Sequence, residues 1–148
     1  MDLGIKGKQA IVCASSKGLG RACAISLARN GVSVVINGRD EDALAATARD
    51  IEDLSDVSVT AVRADVSTLE GQRALLEACP NPDILVNNNG GPPFKDFREL
   101  DREAMLAGVT MNMIAPIELI QNVIDGMAER RFGRIVNITS STVKSPID

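Results

Sequence analysis

Five short apolar runs, alternating with stretches of helical spacing, constrain the fold of this chain more than any other feature. The runs are QAIVCA at 9–14, VSVVIN at 32–37, VSVTAVR at 57–63, DILVN at 83–87 and GRIVNIT at 133–139. Between the first two, residues 18–30 set Leu19, Ala22, Cys23 and Leu27 on one helical face, and Gly31 follows as a C-terminal cap. Asp40 caps a second helix that carries Leu44, Ala48, Ile51 and Leu54. Ser67 to Glu70 reads as a capping box opening a third helix to about Cys79. A long helix is expected over 101–130, with an apolar stripe of Leu106, Val109, Met113, Ile117, Ile120, Ile124 and Met127 and a bend at Pro116. Short strands alternating with amphipathic helices build right-handed βαβ units. The expected architecture is one α/β domain with a doubly wound parallel sheet.

Bulk properties narrow the function classes. The chain has 148 residues, 45% hydrophobic and 24% charged, enough for one domain with its own core. A net charge of −4 without a Lys/Arg cluster argues against a nucleic-acid partner. No uninterrupted apolar run approaches a bilayer span and the N-terminus lacks a signal-peptide layout, so no membrane partner and a cytoplasmic location are expected. Cys13, Cys23 and Cys79 are odd in number and lie in apolar segments, which reads as buried free thiols. The chain contains no His, Tyr or Trp. Ser-His and Cys-His nucleophile pairs and imidazole metal sites are excluded, and no metal site is expected.

The turn between the first strand and the first helix carries the chemistry. Ser15, Ser16, Lys17, Gly18, Leu19 and Gly20 occupy it. Glycines there let the backbone approach a phosphate, whose charge meets the free N–H groups of the helix N-terminus. The serines and Lys17 add donors and a positive charge, while the place of a third glycine is taken by Cys23. A plain tight turn is the alternative. The second strand ends in Asn37-Gly38-Arg39, where an acidic residue would hold ribose hydroxyls. A guanidinium suits a 2′-phosphate instead, so NADP(H) is expected over NAD(H).

In order and spacing these motifs resemble the short-chain dehydrogenase/reductase family, in particular relatives of the 3-oxoacyl-ACP reductases. The family's Thr-Gly-x-x-x-Gly-x-Gly turn is similar to Cys13-Ala14-Ser15-Ser16-Lys17-Gly18-Leu19-Gly20. Its Asp-Val pair, bordering adenine, matches Asp65-Val66, and its Asn-Asn-Ala-Gly matches Asn87-Asn88-Asn89-Gly90. The resemblance implies a Rossmann-like fold and assigns Asn88, Asn89 and Gly90 to the cofactor, with Asn112 and Ser140 as the catalytic asparagine and serine. Ala14 in place of glycine is expected to cost little if its backbone angles are ordinary. Asn89 in place of alanine either intrudes on the cofactor or bonds to it. Asn112 serves either a structural bond or a proton relay.

The resemblance further implies hydride transfer between a small carbonyl compound and its alcohol, in a homo-oligomer. The family's Tyr and Lys belong roughly a dozen residues beyond the serine, and the chain ends at Asp148. The reading is therefore an N-terminal fragment, residues 1–148 being a single dinucleotide-binding domain whose sheet is incomplete after the fifth strand. Ser141 to Ile147, with Lys144 and Pro146, resembles a branch in which the usual Tyr and Lys are replaced. A non-catalytic dinucleotide-binding protein on the same fold is the alternative. A complete flavodoxin-like or receiver-like domain is a third reading, weakened by the lack of an acidic pair after the first strand.

Overall fold

Alternate residues of each inner strand face opposite layers, and this fixes the architecture. The computed structural model describes residues 2–91 and 96–140. The strands are β1 (Gln9–Val12), β2 (Ser33–Gly38), β3 (Val59–Arg63), β4 (Ile84–Asn87) and β5 (Arg134–Asn137). They form one parallel sheet in the order β3-β2-β1-β4-β5. Helices α1 (Gly18–Arg29), α2 (Glu41–Glu52) and α3 (Leu69–Ala78) follow the first three strands. After β4 come α4 (Arg102–Val109), a π-turn (Thr110–Ile114) and α5 (Ala115–Glu129).

Ala10, Val12, Val34, Ile36, Ile84 and Val86 face α1 and α2, packing with Ala24, Ala28, Leu44 and Ile51. Ile11, Cys13, Val35 and Leu85 face the other way and pack with Leu75 of α3 and with Leu119, Val123 and Met127 of α5. The sheet is thus covered on both sides, as a doubly wound fold requires. The order reverses between β1 and β4, which opens a crevice at the carboxyl ends of those strands. A receiver-like or flavodoxin-like order would run 2-1-3-4-5, so the observed order excludes that reading.

Several local expectations are corrected. The third helix is capped by Thr68, whose hydroxyl accepts from the Gly71 N–H at 3.1 Å, while Ser67 bonds to Asp65. In α1 the buried residues are Gly20, Ala24 and Ala28, and Leu19 stands in solvent. In the long helical run the buried stripe is Ala115, Leu119, Val123 and Met127. Leu106, Val109, Met113, Ile117 and Ile124 are exposed. The reason is twofold: the run is apolar on several faces, and the π-turn inserts a residue that slips the 3.6 period at Thr110–Ile114. Pro116 sits at the start of α5 just after that turn, so the expected bend falls on a real break in the ladder. By length and composition alone, Arg102–Glu129 is long and apolar enough to cross a membrane, a test that the core helix of a soluble protein also passes. Residues 104–117 carry no charge, and Glu118 stands near the middle of the run.

At β5 the sheet is less covered. Val136 pairs in register with the buried Val86 but is 48% exposed.

Candidate functional site

The glycine turn is held by a buried polar network that the sequence did not announce. Asn37, at the end of β2, is fully buried. Its Oδ1 accepts from the Ala14 N–H at 2.9 Å, and its Nδ2 donates to the Ala64 carbonyl at 2.8 Å. One side chain therefore ties the loops after β1, β2 and β3 together. Ser15 is buried as well. Its hydroxyl donates to the Val12 carbonyl at 2.7 Å and accepts from the Asn37 N–H at 2.9 Å. This corrects the expectation that Ser15 offers a donor to a ligand: its hydrogen-bonding capacity is spent inside the turn. The signal that could have found Asn37 is a polar residue closing an otherwise apolar strand.

Ala14 departs from expectation too. Its φ is +45°, in the left-handed region that costs a side chain about 1–2 kcal/mol. Asn37 holds its N–H, and Asn88 Nδ2 donates to its carbonyl at 3.1 Å. Ala14→Gly should therefore stabilise the chain. Relief of strain exceeds the added freedom of glycine in the unfolded state, leaving roughly 0.5–1 kcal/mol. A rise in the urea midpoint with an unchanged m-value is the result to look for.

The crevice itself is a groove of about 370 Å³. Ser16, Lys17, Gly18 and Leu19 form its floor, and Arg39, Asp65, Val66, Asn88, Asn89 and Gly90 its sides. Gly18 has φ +60°, and a Cβ there would meet open space, so glycine is required by backbone conformation. Gly20 is different: it is buried beneath Ala14 and does not line the groove. Lys17 precedes α1 in an extended conformation, with its side chain free of any capping bond.

At the far end Arg39 is exposed and lies 3.7 Å from Asp65. Arg63, read in the sequence only as the end of the third strand, donates through Nε to the Arg39 carbonyl at 3.4 Å and pairs with Glu41. Asp65 accepts from the Ser67 hydroxyl at 2.6 Å and from the Ser67 N–H at 2.9 Å. The hydroxyl bond chiefly, then the N–H bond and the Arg39 charge, hold its carboxyl below the usual aspartate range against the opposing effect of burial. Its stabilising contribution is thus complete above the ordinary aspartate pKa near 4 and is lost as pH falls through the lower folded value. Urea midpoints of the parent and Asp65→Asn should differ above about pH 5 and converge as pH falls through the lowered folded-state value of Asp65.

An apolar cavity of about 240 Å³ adjoins the groove, lined by Cys13, Asn112, Ile117, Leu119, Ile138 and Thr139 among others. Val66, Asn88 and Asn89 line both spaces. Asn112 lies in the π-turn, and its amide donates to the Gly108 carbonyl at 3.1 Å. Ser140 follows Thr139 just beyond β5 and is exposed. Asn87 donates to Asn137 at 2.8 Å, joining the ends of β4 and β5 in the cavity wall. Burial pushes the Cys13 thiol up to about 12, so it meets the cavity as an inert neutral group. Lys144 and Pro146 lie outside the described residues.

Comparison with known proteins places this geometry. The short chain dehydrogenase family profile matches residues 8–148. The Bacillus subtilis oxidoreductase YvaG is 32% identical over 147 residues, covering 99% of this chain and 56% of the relative. The human inactive hydroxysteroid dehydrogenase-like protein 1 is 32% identical over 145 residues, covering 95% of this chain and 44% of that protein. The crystal structure of Gluconobacter frateurii L-sorbose reductase, complexed with NADPH and L-sorbose, superposes with a TM-score of 0.93 at 32% identity. It is matched over 99% of this chain and 57% of its own. The chain thus spans about half the length of the relatives it matches. The strand order, the glycine turn at the reversal point and this match over nearly all its residues agree: the chain belongs to the short-chain dehydrogenase family.

Proposed function

We propose that residues 1–148 act as the NADP(H)-binding domain of an oxidoreductase that interconverts a small carbonyl compound and its alcohol. The observation that carries this is the pair of cations, Lys17 and Arg39, on a groove whose floor is a glycine turn at the reversal point of the sheet. The fit rests on the donor set. Gly18 leaves the backbone open, Gly18 and Leu19 of the first turn of α1 line the groove beside Lys17, and the Arg39 guanidinium on the same groove would suit a 2′-phosphate. The binding of NADPH by the sorbose reductase supports the same choice.

When bound, NADPH supplies a hydride to the carbonyl carbon. The chain's own residues orient and solvate. Lys17 and the α1 amides hold phosphate, Arg39 holds the ribose end, and Val66 with Asn88 to Gly90 walls the groove. Ser140 orients the carbonyl oxygen, and Asn112 supports proton relay. The human relative described as inactive supports a second reading, a dinucleotide-binding protein without turnover.

We further assign the exposed apolar face of Leu106, Val109, Met113 and Ile117 to contact between copies of the chain, and the whole protein to the cytoplasm. Light scattering showing a monomer at tens of micromolar would remove the first assignment.

Fluorescence titration with NADPH and NADH tests the cofactor reading. NADPH should bind at least about tenfold tighter, the worth of a charge-assisted contact. Equal affinities would end the case for Arg39. Binding without reduction of any carbonyl in a broad substrate panel would favour the second reading.

A further inference from the structure

Pro116 removes a donor where the helix needs one. In the π-turn the Ala115 N–H reaches back to the Thr110 carbonyl. The next donor in that pattern belongs to residue 116, and a proline has none. The Met111 carbonyl therefore lacks either donor that a helical or π-helical turn would bring to it. Its partner comes from a different element: Asn89 Nδ2 donates to the Met111 carbonyl at 3.2 Å. The other end of the same amide accepts from the Gly90 N–H at 2.8 Å. Both ends are engaged, one by an acceptor and one by a donor, so the orientation of the amide is fixed by its neighbours.

The placement gives this bridge a consequence. Asn89 lines the cofactor groove and the apolar cavity alike. Its partner Met111 immediately precedes Asn112, and both residues line that cavity. We propose that Asn89 is a positioning residue: its amide locks the π-turn, and with it Asn112, to the loop after β4, so that filling the groove steadies the turn. The link between groove and turn rests on the cofactor reading above; the lock itself does not. An alanine at this position, as in the family motif, has no amide with which to make the bridge.

Residue-resolved backbone hydrogen exchange on the full chain tests the proposal, using the parent, Asn89→Ala and Asn89→Asp. The aspartate keeps the shape and the acceptor for Gly90 but sets a carboxylate against a carbonyl. Without ligand, amides 111–115 should exchange about fivefold faster in both variants, the equivalent of one lost hydrogen bond. Amides of β1 and β2 should change by less than about twofold. Added NADPH, at a concentration that saturates each protein by its own titration, should slow exchange at 111–115 in the parent and not in the variants. Unchanged exchange at 111–115, or faster exchange spread evenly over the sheet, overturns the lock. NADPH-induced slowing that survives in Asn89→Ala overturns the link. If NADPH does not bind the parent, the groove reading and the link fall, while the ligand-free comparison still decides the lock.

Discussion

Gly20→Ala should destabilise the chain by about 2 kcal/mol and displace the glycine turn. A Cβ at Gly20 would run into the Ala14 carbonyl oxygen and sit 2.9 Å from its carbon and 2.8 Å from Asn88 Nδ2. Two of these are backbone atoms, so no rotamer change relieves the contact. Moving Ala14 is costly because its N–H and carbonyl are held by Asn37 and Asn88 and its φ is already left-handed. Helix propensity acts in the opposite direction, since alanine is favoured over glycine by about 1 kcal/mol inside a helix. Overpacking of a rigid site costs about 1–3 kcal/mol and occasionally more. The clash wins, with a net loss of about 2 kcal/mol. Thermal unfolding should shift down by roughly 4–8 °C for a chain of this size. NADPH affinity should fall as well, because the displaced turn is the phosphate floor. Gly18→Ala provides the contrast: its Cβ meets nothing within 4 Å, so its cost is that of φ +60° alone. A thermal midpoint for Gly20→Ala equal to the parent's would show that the turn has room that its geometry denies.

The sheet was legible because each strand is a short apolar run between punctuated helices, and parallel strands buried on both faces leave that signature. The glycine turn and Arg39 were legible for a related reason: they must sit at fixed places relative to strand ends. What escaped were features that depend on how the loops meet. Ser15 looks like a ligand donor in the sequence, and only the approach of Asn37 turns it inward. Ala14 looks innocuous because a letter does not show a φ value. The buried face of the long helix was misjudged because Met and Ile occur on several of its faces. The break at Pro116 then removes the periodicity that would have chosen among them. The consequence of Asn89 was invisible for the same reason. It needs a carbonyl left open by a proline far along the chain.

Arg39→Asp should turn the cofactor preference over. The guanidinium is 74% exposed and lies 3.7 Å from the Asp65 carboxylate. Such an exposed pair contributes at most about 1 kcal/mol to folding, so the variant should fold with a nearly unchanged thermal midpoint. Its effect belongs to binding. A 2′-phosphate loses a charge-assisted, bidentate partner worth about 1.5–3 kcal/mol and gains a repelling carboxylate. NADPH affinity should fall about a hundredfold, whereas NADH, which has ribose hydroxyls at that point, should change by less than about threefold. Loss of the Arg39 charge also removes one of the influences that hold the Asp65 carboxyl down, so its titration should move up towards the ordinary aspartate value. Arg39→Lys separates charge from geometry: it keeps the cation and loses the fork, so NADPH should weaken only about tenfold. Raised salt should narrow the gap between parent and Arg39→Asp, since exposed charges at this site are screened over about 10 Å at 0.1 M. Equal losses for NADPH and NADH in Arg39→Asp would mean that the residue shapes the groove without reading the phosphate. The choice of NADP(H) would then have to rest on Lys17 and the glycine turn alone.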